Sequence, residues 1–197
     1  MEIKKLANNA LIFGVNRFIE IFGVCIVVIG VLLLISLISF SPDDPNFIFP
    51  ENTQIKNLLG YRGSFSADLF FQSFGLISLL LPFSLILTGT NIILKKKLFL
   101  LIESNFFSIL YLFCGSLFFS FFYKDAFELY INGNGGFVGK YLETGFLNPL
   151  INLNLQATYY LLIFFIIIFF LITIQFKLKI FHKIIKKVFK YLFSKKQ

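Results

Sequence analysis

Four long apolar runs constrain this sequence more than any other feature. Ile19–Phe40 is uncharged after Glu20, Leu69–Leu94 follows, Leu98–Phe122 has Glu103 near its start, and Ala157–Phe176 contains YYLLIFFIIIFFLITI. Each reaches the ~20 residues a helix needs to cross a bilayer. Inside hydrocarbon the backbone has no water to bond with, so such runs become helices that satisfy their own ladders. The expected fold class is therefore an all-α membrane protein with four transmembrane helices. The first run is too long for the core of a signal peptide, lacks an A-x-A site, and is followed by three more spans. Composition agrees, with 57% hydrophobic and 14% charged residues, where soluble domains hold about 45–50% and about 25%. The 30 phenylalanines read as lipid-facing bulk.

Lysine and arginine set the orientation, because loops rich in them stay in the cytoplasm. Lys4, Lys5 and Arg17 precede the first run, Lys95, Lys96 and Lys97 separate the second and third, and eight lysines follow the fourth. The two other connections carry only Lys56 and Arg62, and Lys124 and Lys140, against several acids. Both termini are thus expected inside. The division is an N-terminal arm over 1–18, a membrane domain over 19–176, and a basic tail over 177–197. Within the membrane domain the spans are 19–40, 69–94, 98–122 and 157–176, and the folded outer loops are 41–68 and 123–156.

The spans hold little chemistry. Glu20, Asp68 and Glu103 sit at span ends, where they reach water, and an ionisable group at the midplane would have marked a transport path. Asp68 is placed to cap the second helix. Gln72, Ser73, Ser78, Ser84, Thr88 and Thr90 give the second span one polar side, either a pore lining or interhelical hydrogen bonding. Pro82 is expected to kink that helix. Gly23 and Gly30, seven apart, suggest a close-packing seam. Cys25 and Cys114 fall inside apolar runs and are each expected to be a buried small hydrophobe. His182, beside many lysines, reads as solvated rather than as a ligand.

Two segments invite a sharper reading. NGNGGFVGKY, Asn132–Tyr141, ends in Gly-Lys like a phosphate-binding loop. That loop needs glycine where Asn134 stands and a small hydroxyl where Tyr141 stands. The dinucleotide pattern fails at Val138. The stretch also falls in an outer loop, so its glycines are expected to turn the chain rather than bind a nucleotide. The tail alternates Phe181, Ile184, Ile185, Val188, Phe189 and Leu192 with Lys179, Lys183, Lys186, Lys187 and Lys190. That is a basic amphipathic helix suited to an anionic inner leaflet. A nucleic-acid patch is the rival reading, which leaves the apolar face unexplained.

SFSPDDPNF directly after the first span, IKNLLGYRGSFSADLFFQSFG leading into LLLPFSLI, and GGFVGKYLETGFLNPL before the fourth occur in an order and spacing that carry a resemblance. The middle pattern is Asn57, Gly60, Gly63, Ala67 and Asp68. Over roughly residues 17–180 the chain resembles the N-terminal four-span membrane domain of the FtsK/SpoIIIE DNA translocases, on the FtsK side. The resemblance implies a septal membrane anchor that assembles with other divisome proteins, in a homo-oligomer that the family's motor implies to be a hexamer. The sequence to Gln197 holds no Walker lysine followed by Ser or Thr and no DNA-reading winged helix. Translocation and direct nucleic-acid binding are therefore not carried over to these residues, whether a motor is encoded further on or in another chain.

No catalytic, cofactor or metal residues are expected. The expected interaction residues are Asp43, Asp44, Pro45, Gly60, Gly63, Asp68, Gly135, Gly136 and Gly139, all in or beside the outer loops, with residues 137–147 as a short helix near the SPDDPNF exit. A small transporter or channel subunit is the alternative. Against it stand the empty midplane, an expected absence of broken helices, and the lack of any repeat relating the two halves. An intramembrane enzyme would need a nucleophile, an acid pair or a metal cluster within the bilayer, and the runs contain none.

Overall fold

In the computed structural model the described residues are 2–45, 54–124, 132–145 and 147–176. They form seven α-helices: α1 (Glu2–Ile38), α2 (Gly60–Phe74), α3 (Leu80–Lys95), α4 (Phe99–Phe122), α5 (Gly136–Thr144), α6 (Leu147–Leu153) and α7 (Leu155–Thr173). A 3₁₀ segment, Gly75–Leu79, joins α2 to α3. Among the described residues there are no strands, and four helical stretches are long and apolar enough to cross a membrane: Asn8–Ile38, Gly60–Lys95, Phe99–Phe122 and Leu155–Thr173. The chain is an all-α membrane protein with four transmembrane helices. The tail, with Lys179, Lys183, Lys186, Lys187 and Lys190, lies outside the described residues.

Two elements differ from the sequence expectation. The N-terminal arm is not separate from the first span. Both belong to α1, whose 37 residues would extend about 55 Å, against a hydrocarbon core of about 30 Å. The second run is not one helix beginning at residue 69, and the expectation that no span is broken does not hold there. Helix begins at Gly60 and breaks at Gly75, where φ is +72°. Pro82 lies seven residues past that break, in the first turn of α3. A proline has no N–H to donate to the carbonyl four residues back, which favours a non-α segment just before it. Asp68 therefore sits two turns inside α2 and cannot cap it; Leu59 holds the N-cap position and supplies no side-chain bond.

Lipid is as apolar as leucine, so helices in a bilayer associate by close packing and hydrogen bonding more than by hydrophobic burial. Both devices appear. α1 and α3 form the most extensive helix pair, and the seam runs along Gly23, Gly30 and Gly89. A Cβ on Gly23 would stand 3.0 Å from the Gly89 carbonyl oxygen, and one on Gly30 would stand 2.8 Å from Ile86 Cγ1. α3 meets α4 through hydroxyl pairs, Ser84 with Tyr111 at 2.9 Å and Thr88 with Ser104 at 2.5 Å. Ser84, Thr88 and Tyr111 are fully enclosed. Ser84 and Thr88 are thus interhelical glue, whereas the exposed Thr90 bonds back to the Ile86 carbonyl and Ser78 to the Phe70 carbonyl. Cys25, expected buried, is exposed on α1. α7 packs mainly on α4, and Asn154 caps its start by accepting from the Ala157 N–H at 2.9 Å.

The end of the bundle that carries the lysine turn is tied by charge. Glu20 accepts from Arg17 at 2.5 Å and from Lys96 at 2.9 Å, so the start of the first span is clamped to the turn after the second. Lys95 bonds to Gln175, and Asn91 Nδ2 donates to the Ile174 carbonyl at 3.1 Å, which fixes the end of α7 to the same rim.

Candidate functional site

The opposite end of the bundle holds the two connections in which all nine expected interaction residues fall. In the first, α1 ends at Ile38 and leaves carbonyls with no helical partner. Asn57 Nδ2 donates to the Ser36 carbonyl at 2.9 Å and the Ser39 carbonyl at 3.2 Å, while its Oδ1 accepts from the Leu59 N–H at 3.1 Å. Asp44 then fixes Asn57: its two carboxylate oxygens accept from the Lys56 N–H at 2.7 Å and the Asn57 N–H at 2.8 Å. Ser36 Oγ donates to the Gly63 carbonyl at 2.6 Å, and Ser64 Oγ to the Pro45 carbonyl at 2.8 Å. Gly63 is bare because a Cβ there would lie 2.1 Å from Asn57 Oδ1. The spacing Asn57, Gly60, Gly63 is thus the geometry of a cap: an asparagine, a turn at Gly60 with φ +63°, and a seat one helical turn later.

The two neighbouring aspartates do different things. Asp44 is buried, while the Asp43 side chain is 75% exposed and pairs with Lys56 Nζ at 2.7 Å. That carboxylate, as the nearest acceptor, holds the exposed Lys56 ammonium above its ordinary pKa.

The second connection is built by backbone. The break after Phe74 interrupts the helical ladder, and the Leu76 N–H donates to the Asn134 carbonyl at 2.9 Å. Asn134 Nδ2 in turn donates to the Tyr123 carbonyl at 2.6 Å, capping the end of α4 as Asn57 caps α1. Close approach makes glycine mandatory. A Cβ on Gly75 would stand 1.9 Å from the Asn134 carbonyl oxygen, and one on Gly136, whose φ is +65°, would stand 2.6 Å from the Gly75 nitrogen. α5 lies directly on α4: Cβ atoms at Gly135 and Gly139 would fall 2.4 and 2.3 Å from the Ser116 carbonyl oxygen. Ser116 Oγ donates to the Phe74 carbonyl at 2.9 Å, and Glu143 accepts from Ser120 Oγ at 2.5 Å and Lys124 Nζ at 3.1 Å.

The space beside Gly135, Gly136 and Gly139 of NGNGGFVGKY is therefore filled by the protein's own backbone, while Gly133, at φ +72°, serves the turn. The short helix forms over 136–144, against an expected 137–147. It sits on α4 and the Phe74 end of α2, and its Phe137 lines a cavity with Phe65 and Asp68, while the SPDDPNF exit is held at Ser64. Asp44, Pro45, Gly63, Asp68, Gly135, Gly136 and Gly139 are all buried, Gly60 is half-buried and Asp43 is exposed. Seven of the nine expected residues thus shape the surface from beneath. The exposed side chains above them are Leu58, Tyr61, Leu69, Phe137 and Tyr141. Sequence reasoning passed over these because an exposed apolar residue in a membrane protein reads as lipid-facing.

Two connections, each braced on the helix ends of a four-span bundle, with Ser84, Thr88, Ser104 and Tyr111 spent on helix contacts, define a polytopic membrane domain organised around its outer connections. Residues 15–186 match the family described as "4TM region of DNA translocase FtsK/SpoIIIE", and the chain belongs to that family. Relatives named DNA translocase FtsK are 31% identical in Rickettsia bellii over 41% of this chain, and 31% identical in Shewanella oneidensis over 49%. The chain covers 11% and 10% of those two proteins, so the similarity concerns the membrane-anchor region alone. No solved structure matches.

Proposed function

We propose that this chain is the membrane anchor and divisome-interaction module of a bacterial cell-division DNA translocase, coupling septum assembly to chromosome segregation. Both termini are in the cytoplasm, and the two outer loops form the surface that division proteins meet. The observation carrying this reading is the double brace of the outer connections, where Asn57 and Asn134 cap α1 and α4 and Gly75 and Gly136 lock α2 to α5. Loops with no binding task need no such fixation, because surface connections are ordinarily the variable part of a fold. In the anchor reading the chain performs no chemistry itself; it assembles with other copies in the membrane, to a hexamer if it follows the family's motor, and holds that motor at the septum.

The test is an N-terminal fluorescent fusion imaged in dividing cells, which should give a midcell band. A uniform membrane signal argues for the transporter alternative. Topology is checked by cysteine labelling from outside. Substitutions at the exposed Asp43 and Lys140 should label in intact cells, and one at Lys96 should not.

A further inference from the structure

A groove of about 330 Å³ lies on the membrane-facing side of the bundle, lined by Ile29, Leu32 and Leu33 of α1, Arg62, Ser66 and Phe70 of α2, and other residues including Leu85 of α3. Its depth can be set from the helices. Ser36 bonds to the Gly63 carbonyl, so Arg62 stands level with the loop-side end of α1. Ile29 lies seven residues below Ser36, or about 10 Å deeper at 1.5 Å per residue. Ile29 and Leu32 are exposed on a helix that spans the membrane, so the groove opens to lipid. Its apolar walls therefore begin at the membrane surface and descend into one leaflet, with a guanidinium at the top.

Among the described residues no ion pair uses the charge at that rim. The ion pairs among the described residues join Glu20 to Arg17 and Lys96, Asp43 to Lys56, and Glu143 to Lys124. None uses Arg62, one of only two arginines in the sequence. The first turn of α2 carries no acidic residue either, and Leu59 at its N-cap offers no side-chain acceptor. An anion beside Arg62 would thus also meet the positive end of α2.

We infer that this groove is a binding site for one anionic glycerophospholipid of the loop-side leaflet. Its phosphodiester sits on Arg62 and the first turn of α2, and one acyl chain lies between α1 and α2 down to Ile29. A guanidinium matches a phosphate through two parallel N–H···O bonds, and the bilayer supplies the ligand at the depth where the groove opens. The bound lipid fills the angle between α1 and α2 and so stiffens the first outer connection. This site is independent of the septal reading above, and either can fail without the other.

The experiment is native mass spectrometry of the full chain, extracted in mild detergent and offered phosphatidylglycerol or phosphatidylcholine in equal amounts. The wild-type chain should retain one phosphatidylglycerol in preference to phosphatidylcholine. Arg62→Gln should lower that retention by about five-fold, the weight of one cation near an anionic surface, and Arg62→Lys should restore part of it. Ser66→Phe, which fills the groove, should abolish retention of either lipid while circular dichroism shows unchanged helix content. If Ser66→Phe fails to fold, Arg62→Gln decides the matter. Equal retention by the wild-type chain and Arg62→Gln overturns the site, as does no preference between the two lipids. Displacement of the lipid by inorganic phosphate overturns the assignment to a lipid.

Discussion

The two outer connections solve one problem by opposite means. α1 and α4 both end with carbonyls to satisfy, and in both cases an asparagine from the following connection supplies the donor, Asn57 for α1 and Asn134 for α4. Around that shared cap the designs diverge. The first connection is held by side chains: the Asp44 carboxylate, the Asn57 amide, and the hydroxyls of Ser36 and Ser64. The second is held by missing side chains, with Gly75, Gly135, Gly136 and Gly139 letting backbone meet backbone. The first region depends mainly on atoms it would lose by truncation and the second mainly on space an added atom would fill, although Gly63 in the first and Asn134 in the second use the other device. A glycine-rich stretch that looked like a ligand loop is thus a surface complementary to the chain's own helices.

That contrast orders the expected effects. Gly75→Ala should be the most damaging single change. It places a Cβ 1.9 Å from the Asn134 carbonyl oxygen at a residue with φ +72°, so both overpacking and backbone strain act, together costing about 3 kcal/mol or more. Denaturant unfolding in detergent micelles measures it. A loss under about 1 kcal/mol would mean the second connection is not glycine-locked.

Asp44→Ala comes next. It leaves one buried and one part-buried backbone N–H without their charged acceptor, at about 2 kcal/mol. Asp43→Ala, one residue earlier but exposed, should leave the unfolding midpoint unchanged, and equal effects would erase the distinction between the two aspartates. The same pair sets a pH expectation. Lys56 has a raised pKa in the folded state, so its contribution is complete below the unfolded value of about 10.4 and lost only as pH rises through the folded one. The difference between wild type and Asp43→Ala should therefore stay flat from pH ~6 to ~9.

Asn57→Ala and Asn134→Ala remove the shared device. Each should cost about 1–2 kcal/mol, and a large inequality would show that one connection does not depend on its cap. The smallest change is expected inside the bilayer. Ser84→Ala or Thr88→Ala should cost about 0.6 kcal/mol, the typical worth of an interhelical hydrogen bond in a membrane.

The sequence carried the four spans plainly, because twenty apolar residues in a row have few other uses. At the outer end Asn57, Gly60, Gly63, Asp68 and the glycines of 133–139 stand out in it against an apolar background. It did not carry their roles. Hydropathy placed the start of the second span at residue 69, because Gly60, Tyr61, Arg62 and Ser64 dilute the apolar signal in the part of α2 that faces α1. It did not find the break at Gly75, since the residues around it keep a hydropathy that suits one continuous span, and the partner of the freed Leu76 N–H, Asn134, lies 58 positions beyond Leu76. Asp68 was misplaced as a cap for the same reason. Arg62 was counted only as a loop charge, and its groove exists only once α1 and α2 are packed.

The central claim is that the braced outer surface, rather than the spans, is what recruits this anchor. The most direct measurement is midcell fluorescence of the N-terminal fusion in three forms: the wild-type chain, Gly136→Val, and Ser84→Ala, at matched membrane levels. The account predicts a band for the wild-type chain and Ser84→Ala, and its loss in Gly136→Val, where a bulky side chain at φ +65° drives α5 off the Phe74–Gly75 backbone. A band that survives in Gly136→Val but disappears in Ser84→Ala would contradict it and move the recognition surface into the bilayer.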